Sequence, residues 1–317
     1  MDSLVSRDFV FDIGKLLESI SADNPSGESL RYDVLYDQIR EGRREDDPVQ
    51  ERGVWIMPLK KADWALVEKL CIEALTKRTK DLQVAGWLVE AWIRQYGLAG
   101  LREGFRLLNA LCRDFWDTIY PVPEDDDLEY RIAPFEWINE KISVILKLLP
   151  ITNPQGGSSQ AYGWADWETA CRPSGGQPQT FRGQAVEPKL TQEQFQEAVA
   201  QTHTADLRVL LELTDGAIHS LTMLTATLDE KCSHHSPGLG RLSSTLTSIR
   251  GLLFTSYSQR PEGKPSKAEK PMDTDESSIP VDPNRQSPDE AIESGALSAG
   301  PIRSRAEAYR RLGEAAD

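Results

Sequence analysis

This 317-residue sequence contains few cysteines and few histidines and has no net positive charge. The cysteines and the charge each exclude a class of protein. The four cysteines lie far apart and form no CxxC pair, which excludes a disulfide scaffold and a cysteine-based zinc module. Lys and Arg number 36 against 50 Asp and Glu, so the formal net charge is −14. Nucleic-acid binding depends on clustered Lys and Arg, so this balance excludes a general nucleic-acid surface and leaves open only a local basic patch.

Long apolar runs are also missing. No stretch reaches the roughly 20 apolar residues that a membrane-spanning helix needs. The N-terminal segment contains Asp2, Asp8, Asp12 and Glu18, whereas a signal peptide opens with a basic segment and continues with an uninterrupted apolar run. We therefore expect a soluble, reduced, cytoplasmic protein that does not insert into a membrane.

Sequence signatures of catalysis and cofactor binding are absent as well. The chain contains no GxxxxGKS/T, GxGxxG, GxSxG or HExxH motif. His234 and His235 lie near Cys232, a set that a metal would accept, but a solvated helix end is the preferred interpretation. The runs Glu45–Asp47 and Glu124–Asp127 offer carboxylates for a divalent cation, although consecutive acids favour a solvated loop. We expect no catalytic residue, cofactor or metal, and a metal-dependent hydrolase is the less favoured alternative.

Apolar residues recur at helical spacing over most of the chain and predict an all-α fold. Gly97 is predicted to end one helix and Pro134 to lie in the first turn of another. Thr191 and Gln194 have the spacing of a capping box, which predicts a further helix start. The predicted helices cover 8–20, 29–44 with Ser29 as N-cap, the segments that follow the caps Asp63 and Asp81, 101–116, 134–149, 191–199, 207–228 and 239–253.

Composition divides the chain into five segments. Gly, Pro, Gln and Ser are frequent around 172–189, and Pro, Ser and charged residues dominate 258–300, which has no aromatic residue. Such a segment buries too little apolar surface to offset its ordering entropy, so we expect a disordered tether there. The predicted segments are an N-terminal helical domain over 1–172, a linker over 173–190, a helical middle domain over 191–257, the tether over 258–300 and the truncated start of a C-terminal domain over 301–317.

The order of motifs in the first half of the chain resembles one known family. The chain reads SGESLRYDVLYDQIREGRREDD, then GVW, LKKADWALVEKLCIEALTKRTKDLQVAGWLVEAW, GLAGLREGFRLLNALCRDFWDTIYP and YRIAPFEWINEK. This series resembles the ImpA-related N-terminal domain of the TssA components of bacterial type VI secretion, over roughly residues 8–170. The tail, GPIRSRAEAYRRLGEAAD, resembles the start of the C-terminal domain of many of these proteins.

The resemblance implies a non-enzymatic scaffold of the cytoplasm. Members of the family contact the baseplate and the membrane complex and prime assembly of the tail tube and sheath, so proteins of those parts are the expected partners. Their C-terminal domain builds rings, and the segment over 301–317 is too short to form such a domain, so ring formation is not expected here. Self-association through 191–257 is a hypothesis, and a truncated regulatory paralogue that competes for the same partners is the alternative function.

The motif positions of the resemblance are the candidates for protein interaction. The mixed-sign run from Arg40 to Asp47 favours directional charge pairing, either as an internal network that fixes the loop or as a docking surface. Trp55 lies in a loop, where an aromatic residue is a candidate hot spot or a plug that pins the loop. The tryptophans expected in or near the core are Trp87, Trp92, Trp116 and Trp137. The interaction candidates are Asp33, Tyr36, Arg40, Arg43, Arg44, Asp46, Asp47, Trp55 and Trp64.

Overall fold

Helices make up nearly all of the regular structure in the part of the chain that is described. The computed structural model describes residues 11–46, 59–123, 127–154, 160–172 and 190–260, together with the backbone of 180–181 and 184–185. The helices are α1 (Ile13–Leu16), α2 (Val34–Arg43), α3 (Trp64–Lys77), α4 (Leu82–Phe115), α5 (Glu129–Leu148), α6 (Trp164–Ala170), α7 (Gln192–Gln201), α8 (Thr204–Cys232) and α9 (Gly240–Ser258). Two short strands, β1 (Thr180–Phe181) and β2 (Gln184–Ala185), pair antiparallel. The predicted all-α fold is confirmed for these residues.

Three of the predicted helix starts are confirmed by their hydrogen bonds. Asp63 Oδ1 accepts from the backbone N–H of Leu66 at 3.0 Å and opens α3. Asp81 Oδ1 accepts from the N–H groups of the second and third residues of α4, at 2.8 and 3.1 Å. Thr191 and Gln194 form a reciprocal capping box at the start of α7. In each case a side-chain acceptor satisfies a backbone donor that the first helical turn leaves without a partner.

The first two predicted helices are shorter than expected. The prediction of a helix over 8–20 is wrong for the described residues from 11 onward, where α1 covers four residues. The chain leaves the helix there because the Leu16 carbonyl accepts from Lys80 Nζ at 2.8 Å. The prediction of Ser29 as N-cap is also wrong, because the Asp33 carboxylate accepts from the N–H of Leu35 at 2.8 Å and starts α2 four residues later.

Gly97 interrupts α4 as predicted, with φ of 58° and ψ of −134° in an otherwise helical run. The two halves of α4 then pack against each other, since a Cβ on Gly104 would lie 2.8 Å from the Val89 side chain. Pro134 does not lie in a first turn, which corrects that prediction. Asp127 accepts from the N–H of Glu129 at 2.8 Å, so α5 begins there and Pro134 falls inside it.

The two halves of α4 form the centre of the hydrophobic core. Helices α3, α5 and α8 pack on α4, and α9 packs on α8 and α5. Buried apolar side chains form one cluster that extends from Leu16 to Leu253. The described residues therefore belong to one compact unit, within residues 1–266. The predicted linker over 173–190, which would divide two helical domains, stays a prediction. The predicted start of a C-terminal domain, 301–317, and most of the predicted tether, 258–300, lie outside the described residues.

Close contacts join α8 and α9 to the N-terminal helices. A Cβ on Gly216 of α8 would lie 2.7 Å from Arg102 Cδ of α4, so a larger residue there would require the Arg102 side chain to move. Thr227 and Asn109 hydrogen-bond between the same helices at 2.7 Å. These contacts fix α8 on the half of α4 that follows Gly97, whereas α2 packs against α3.

Candidate protein-interaction site

Arg43, at the end of α2, has an internal role. Its guanidinium carbon lies 4.9 and 5.1 Å from the ring centroids of Trp87 and Trp137. Its Nε and Nη2 atoms donate to Glu90 Oε2 at 2.8 and 2.6 Å, and Glu90 is 2% exposed. An arginine that is both stacked and ion-paired in this way fixes the position of α2 against α4 and α5.

Asp33 and Arg78 tie the start of α2 to the end of α3. Arg78 donates to Asp33 Oδ2 at 2.9 Å and to Glu28 Oε1 at 2.5 Å. The hydrogen bond from the Leu35 N–H and the pairing with Arg78 hold the pKa of Asp33 below its usual value. Asp33 therefore stays ionised and serves as an N-cap and an anchor.

Tyr36 packs its ring against Trp87, with centroids 4.5 Å apart. Burial, followed by the nearby charge of Asp81, raises the pKa of Tyr36 to about 12. The phenol is therefore neutral at every physiological pH. Its ring belongs to the packing that holds α2, which leaves the arginines as the solvent-facing candidates.

Arg40 and Arg44 are the candidates that α2 presents to solvent. Their side chains are 64% and 60% exposed, and each pairs with an acidic residue one turn back, Asp37 at 3.5 Å and Glu41 at 3.3 Å. Exposed pairs of this kind contribute little to stability. A partner can therefore engage these two charges at little cost in stability.

Asp46 and Lys60 close the loop that begins after α2. The Asp46 N–H donates to the Lys60 carbonyl at 3.0 Å, and the Lys60 N–H donates to Asp46 Oδ2 at 2.9 Å. Lys60 Nζ also reaches the carbonyl and the carboxylate of Glu41. The mixed-sign run thus forms an internal network at Arg43 and Asp46, whereas Asp47 and Trp55 lie outside the described residues.

Trp64, the first residue of α3, is half-buried beneath Arg94, whose guanidinium carbon lies 5.3 Å from the ring centroid. Its backbone carbonyl accepts from Gln95 at 3.3 Å. Its ring is packed against the core. Trp87 and Trp92 are buried as expected, at 5% and 2% exposure, and Trp116 and Trp137 pack on the core while half-buried.

Charged side chains with fixed internal partners are features that the sequence did not reveal. Glu68 accepts from Trp92, Gln95 and Tyr96 at 2.7 to 2.9 Å. Arg131 donates to three backbone carbonyls in the turn that follows α4, and burial lowers its pKa. One sequence pattern does indicate such a residue: a charge inside an apolar helical stripe, such as Glu90 in GWLVEAW.

Lys80 is fully buried at the junction of α3 and α4. Its Nζ donates to the carbonyls of Leu16 and Leu75 at 2.8 and 2.6 Å. Burial lowers the pKa of Lys80 to about 8. No carboxylate hydrogen-bonds to this ammonium within the described residues, so two carbonyls and the Phe115 ring, 5.6 Å away, provide its surroundings.

The residues considered for metal binding do not converge within the described part of the chain. Cys232 is buried, whereas His234 and His235 are exposed. Among the described residues, no three or more His, Cys, Asp and Glu side chains form a group that would hold a metal ion. In the same part of the chain, no helix is long and apolar enough to cross a membrane.

Comparison with known proteins finds a family model that matches the N-terminal part of the chain. Residues 17–140 match the family model described as ImpA, N-terminal, type VI secretion system. This part of the chain is therefore similar to the ImpA N-terminal family. The resemblance in the sequence motifs is thereby confirmed, and every described interaction candidate lies within this ImpA N-terminal domain.

Two relatives extend the similarity beyond the ImpA N-terminal domain. The chain is 28% identical over 242 residues to the type VI secretion system component TssA1 of Pseudomonas aeruginosa, which covers 75% of this chain and 67% of that protein. The fold is similar to a solved N-terminal domain, including the conserved ImpA_N region, of the TssA component from Burkholderia cenocepacia. That match has a TM-score of 0.67 and 28% identity, and it covers 81% of this chain and 98% of the other.

Proposed function

We propose that this chain is a non-enzymatic scaffold of a bacterial type VI secretion system. It docks to the baseplate and the membrane complex in the cytoplasm and primes assembly of the tail tube and sheath. The observation that carries the proposal is the match to the ImpA N-terminal family model within a fold that covers 98% of a solved TssA N-terminal domain and 81% of this chain. The rigid helical core, which is held by buried ion pairs, suits a docking module.

The exposed arginines of α2 favour protein docking over catalysis. Arg40 and Arg44 reach solvent next to a motif region that is otherwise fixed by internal contacts. Arginine is enriched at the centres of protein interfaces. Asp46 is tied into the loop closure by its hydrogen bond from the Lys60 N–H, so this acidic residue contributes to structure.

A binding panel tests the proposal. The purified chain is measured against purified sheath, baseplate and membrane-complex proteins of the same secretion system, and we expect at least one to bind. An Arg40→Glu, Arg44→Glu double variant tests the exposed face of α2. Arg208→Glu is the matched control, because Arg208 on α8 is 67% exposed and also pairs along its helix, with Glu212. Absence of binding to every protein of the panel contradicts the proposal.

A further inference from the structure

The segment before α2 and the first turn of α5 meet at an exposed aromatic cluster. The guanidinium carbon of Arg31 lies 5.8 Å from the ring centroid of Tyr32 and 6.0 Å from that of Tyr130. The Tyr32 side chain is 93% exposed and that of Tyr130 is 47% exposed. We call these three residues the Arg31 cluster. None of them belongs to the motif candidates described above.

Charge pairing sets Arg31 apart from its neighbours. Arg40, Arg43, Arg44 and Arg78 each pair with at least one carboxylate. Within the described ranges, no carboxylate pairs with Arg31, and its contacts are the two tyrosine rings. A guanidinium that lies over aromatic faces keeps its N–H donors free at the edge of its plane, where they match the two oxygens of a carboxylate.

The surface composition favours a protein as the ligand of the Arg31 cluster. Tyrosine and arginine are the residues most enriched, with tryptophan, at the energetic centres of protein interfaces. Val34, two residues after Tyr32, adds an apolar side chain that is 71% exposed. The net charge of −14 opposes binding to an anionic membrane or to nucleic acid, whereas a single protein carboxylate between two apolar contacts fits the cluster.

We propose that the Arg31 cluster binds a segment of a type VI secretion partner protein that presents a carboxylate to Arg31 and apolar atoms to the two tyrosine rings. This inference rests on the proposed function and adds the site and the chemistry of contact. The guanidinium and the carboxylate fix the register of the partner segment, and the rings exclude water from that pair.

The test uses the full chain and the panel protein that binds it, with dissociation constants measured by biolayer interferometry. We expect Arg31→Glu and the Tyr32→Ala, Tyr130→Ala double variant each to weaken binding about tenfold or more. Replacing the responsible Asp or Glu of the partner by Arg is expected to restore binding to Arg31→Glu. Thermal melts by circular dichroism are expected to match the wild type, because the substituted side chains are exposed.

Arg250 and Phe254 supply the matched control. They form another exposed arginine–aromatic pair, with the guanidinium carbon 5.8 Å from the ring centroid, but Arg250 already bonds to Asp215. Arg250→Glu and Phe254→Ala are therefore expected to bind like the wild type. Cluster variants that bind within about twofold of the wild type overturn this inference and leave the proposed function standing. If the wild type binds no protein of the panel, both this inference and the proposed function are overturned. If the wild type binds phosphatidylserine vesicles and the cluster variants do not, the ligand of the Arg31 cluster is a membrane and the inference of a protein ligand is overturned.

Discussion

At the residue scale, the Arg43 guanidinium lies between two indole rings and donates to a carboxylate that is almost fully buried. Its partner Glu90 is 47 positions away in the chain. The mixed-sign run of the sequence led to two hypotheses, an internal network or a docking surface. The structure divides the run by residue, with Arg43 and Asp46 in internal contacts and Arg40 and Arg44 in solvent.

Glu90→Gln is expected to lower the free energy of unfolding by about 3–5 kcal/mol, because it leaves the Arg43 charge buried without its counter-charge. Urea denaturation monitored by circular dichroism measures the loss. Asp37→Asn is the control, since Asp37 pairs with Arg40 at a fully solvated position and its loss is expected to change stability by less than about 1 kcal/mol. Equal small losses in both variants would show that the buried pair does not hold α2.

Lys80 makes stability depend on pH in the alkaline range. Its pKa is about 8 in the folded chain and 10.5 in the unfolded chain, so the unfolded state binds more protons between these values. The free energy of unfolding therefore rises as the pH increases from 8. We expect the Lys80→Met variant to lack this rise, by roughly 3 kcal/mol over the full interval.

Denaturation of the wild type and of Lys80→Met at pH 7, 8, 9 and 9.5 measures this difference. Comparing the two proteins cancels the titration of Tyr36 and of the exposed groups. A difference in unfolding free energy that stays constant across these pH values would contradict the assignment of Lys80 as a buried, destabilised ammonium.

At the scale of elements, the reversal inside α4 depends on one glycine. Gly97 has a positive φ of 58°, and a Cβ there would meet no atom within 4 Å, so only the backbone conformation restricts this position. Gly97→Ala is expected to destabilise the protein by about 1–3 kcal/mol through backbone strain. Gly251→Ala in α9, also free of neighbours, is expected to stabilise by up to about 1 kcal/mol because its backbone is helical. Thermal denaturation measures whether the two variants change stability in opposite directions. A change in the same direction for both would contradict this explanation.

Local chemistry made the helices predictable, and long-range contacts caused the errors. Asp63, Asp81 and the Thr191 capping box act within three residues, so their patterns were visible in the sequence. The start of α2 depends on Arg78 as well as on Asp33, and the end of α1 depends on Lys80. Such contacts between distant positions have no signature in a single sequence, and the same is true of the Arg43–Glu90 pair.

At the scale of the whole molecule, α8 and α9 share one hydrophobic core with the N-terminal helices. The match to the ImpA N-terminal family model ends at residue 140, before α8 and α9 begin. These helices bury their apolar faces against α4 and α5, so they belong to the same core as the N-terminal helices.

This shared core is expected to unfold as one unit. All eight tryptophans lie between Trp55 and Trp167, so their fluorescence reports on the N-terminal helices, whereas circular dichroism at 222 nm also reports on α8 and α9. We expect the two urea transitions to have the same midpoint. A circular dichroism transition that precedes the loss of tryptophan fluorescence would show that 191–257 unfolds as a domain of its own.

Sheath assembly in living cells tests the central claim most directly. A strain of the source bacterium that lacks the gene for this chain and carries a fluorescent sheath protein is imaged with and without the chain supplied from a plasmid. The scaffold function predicts that sheaths fail to assemble in the deletion strain and reappear when the chain is restored. Normal numbers of extended sheaths in the deletion strain would contradict it.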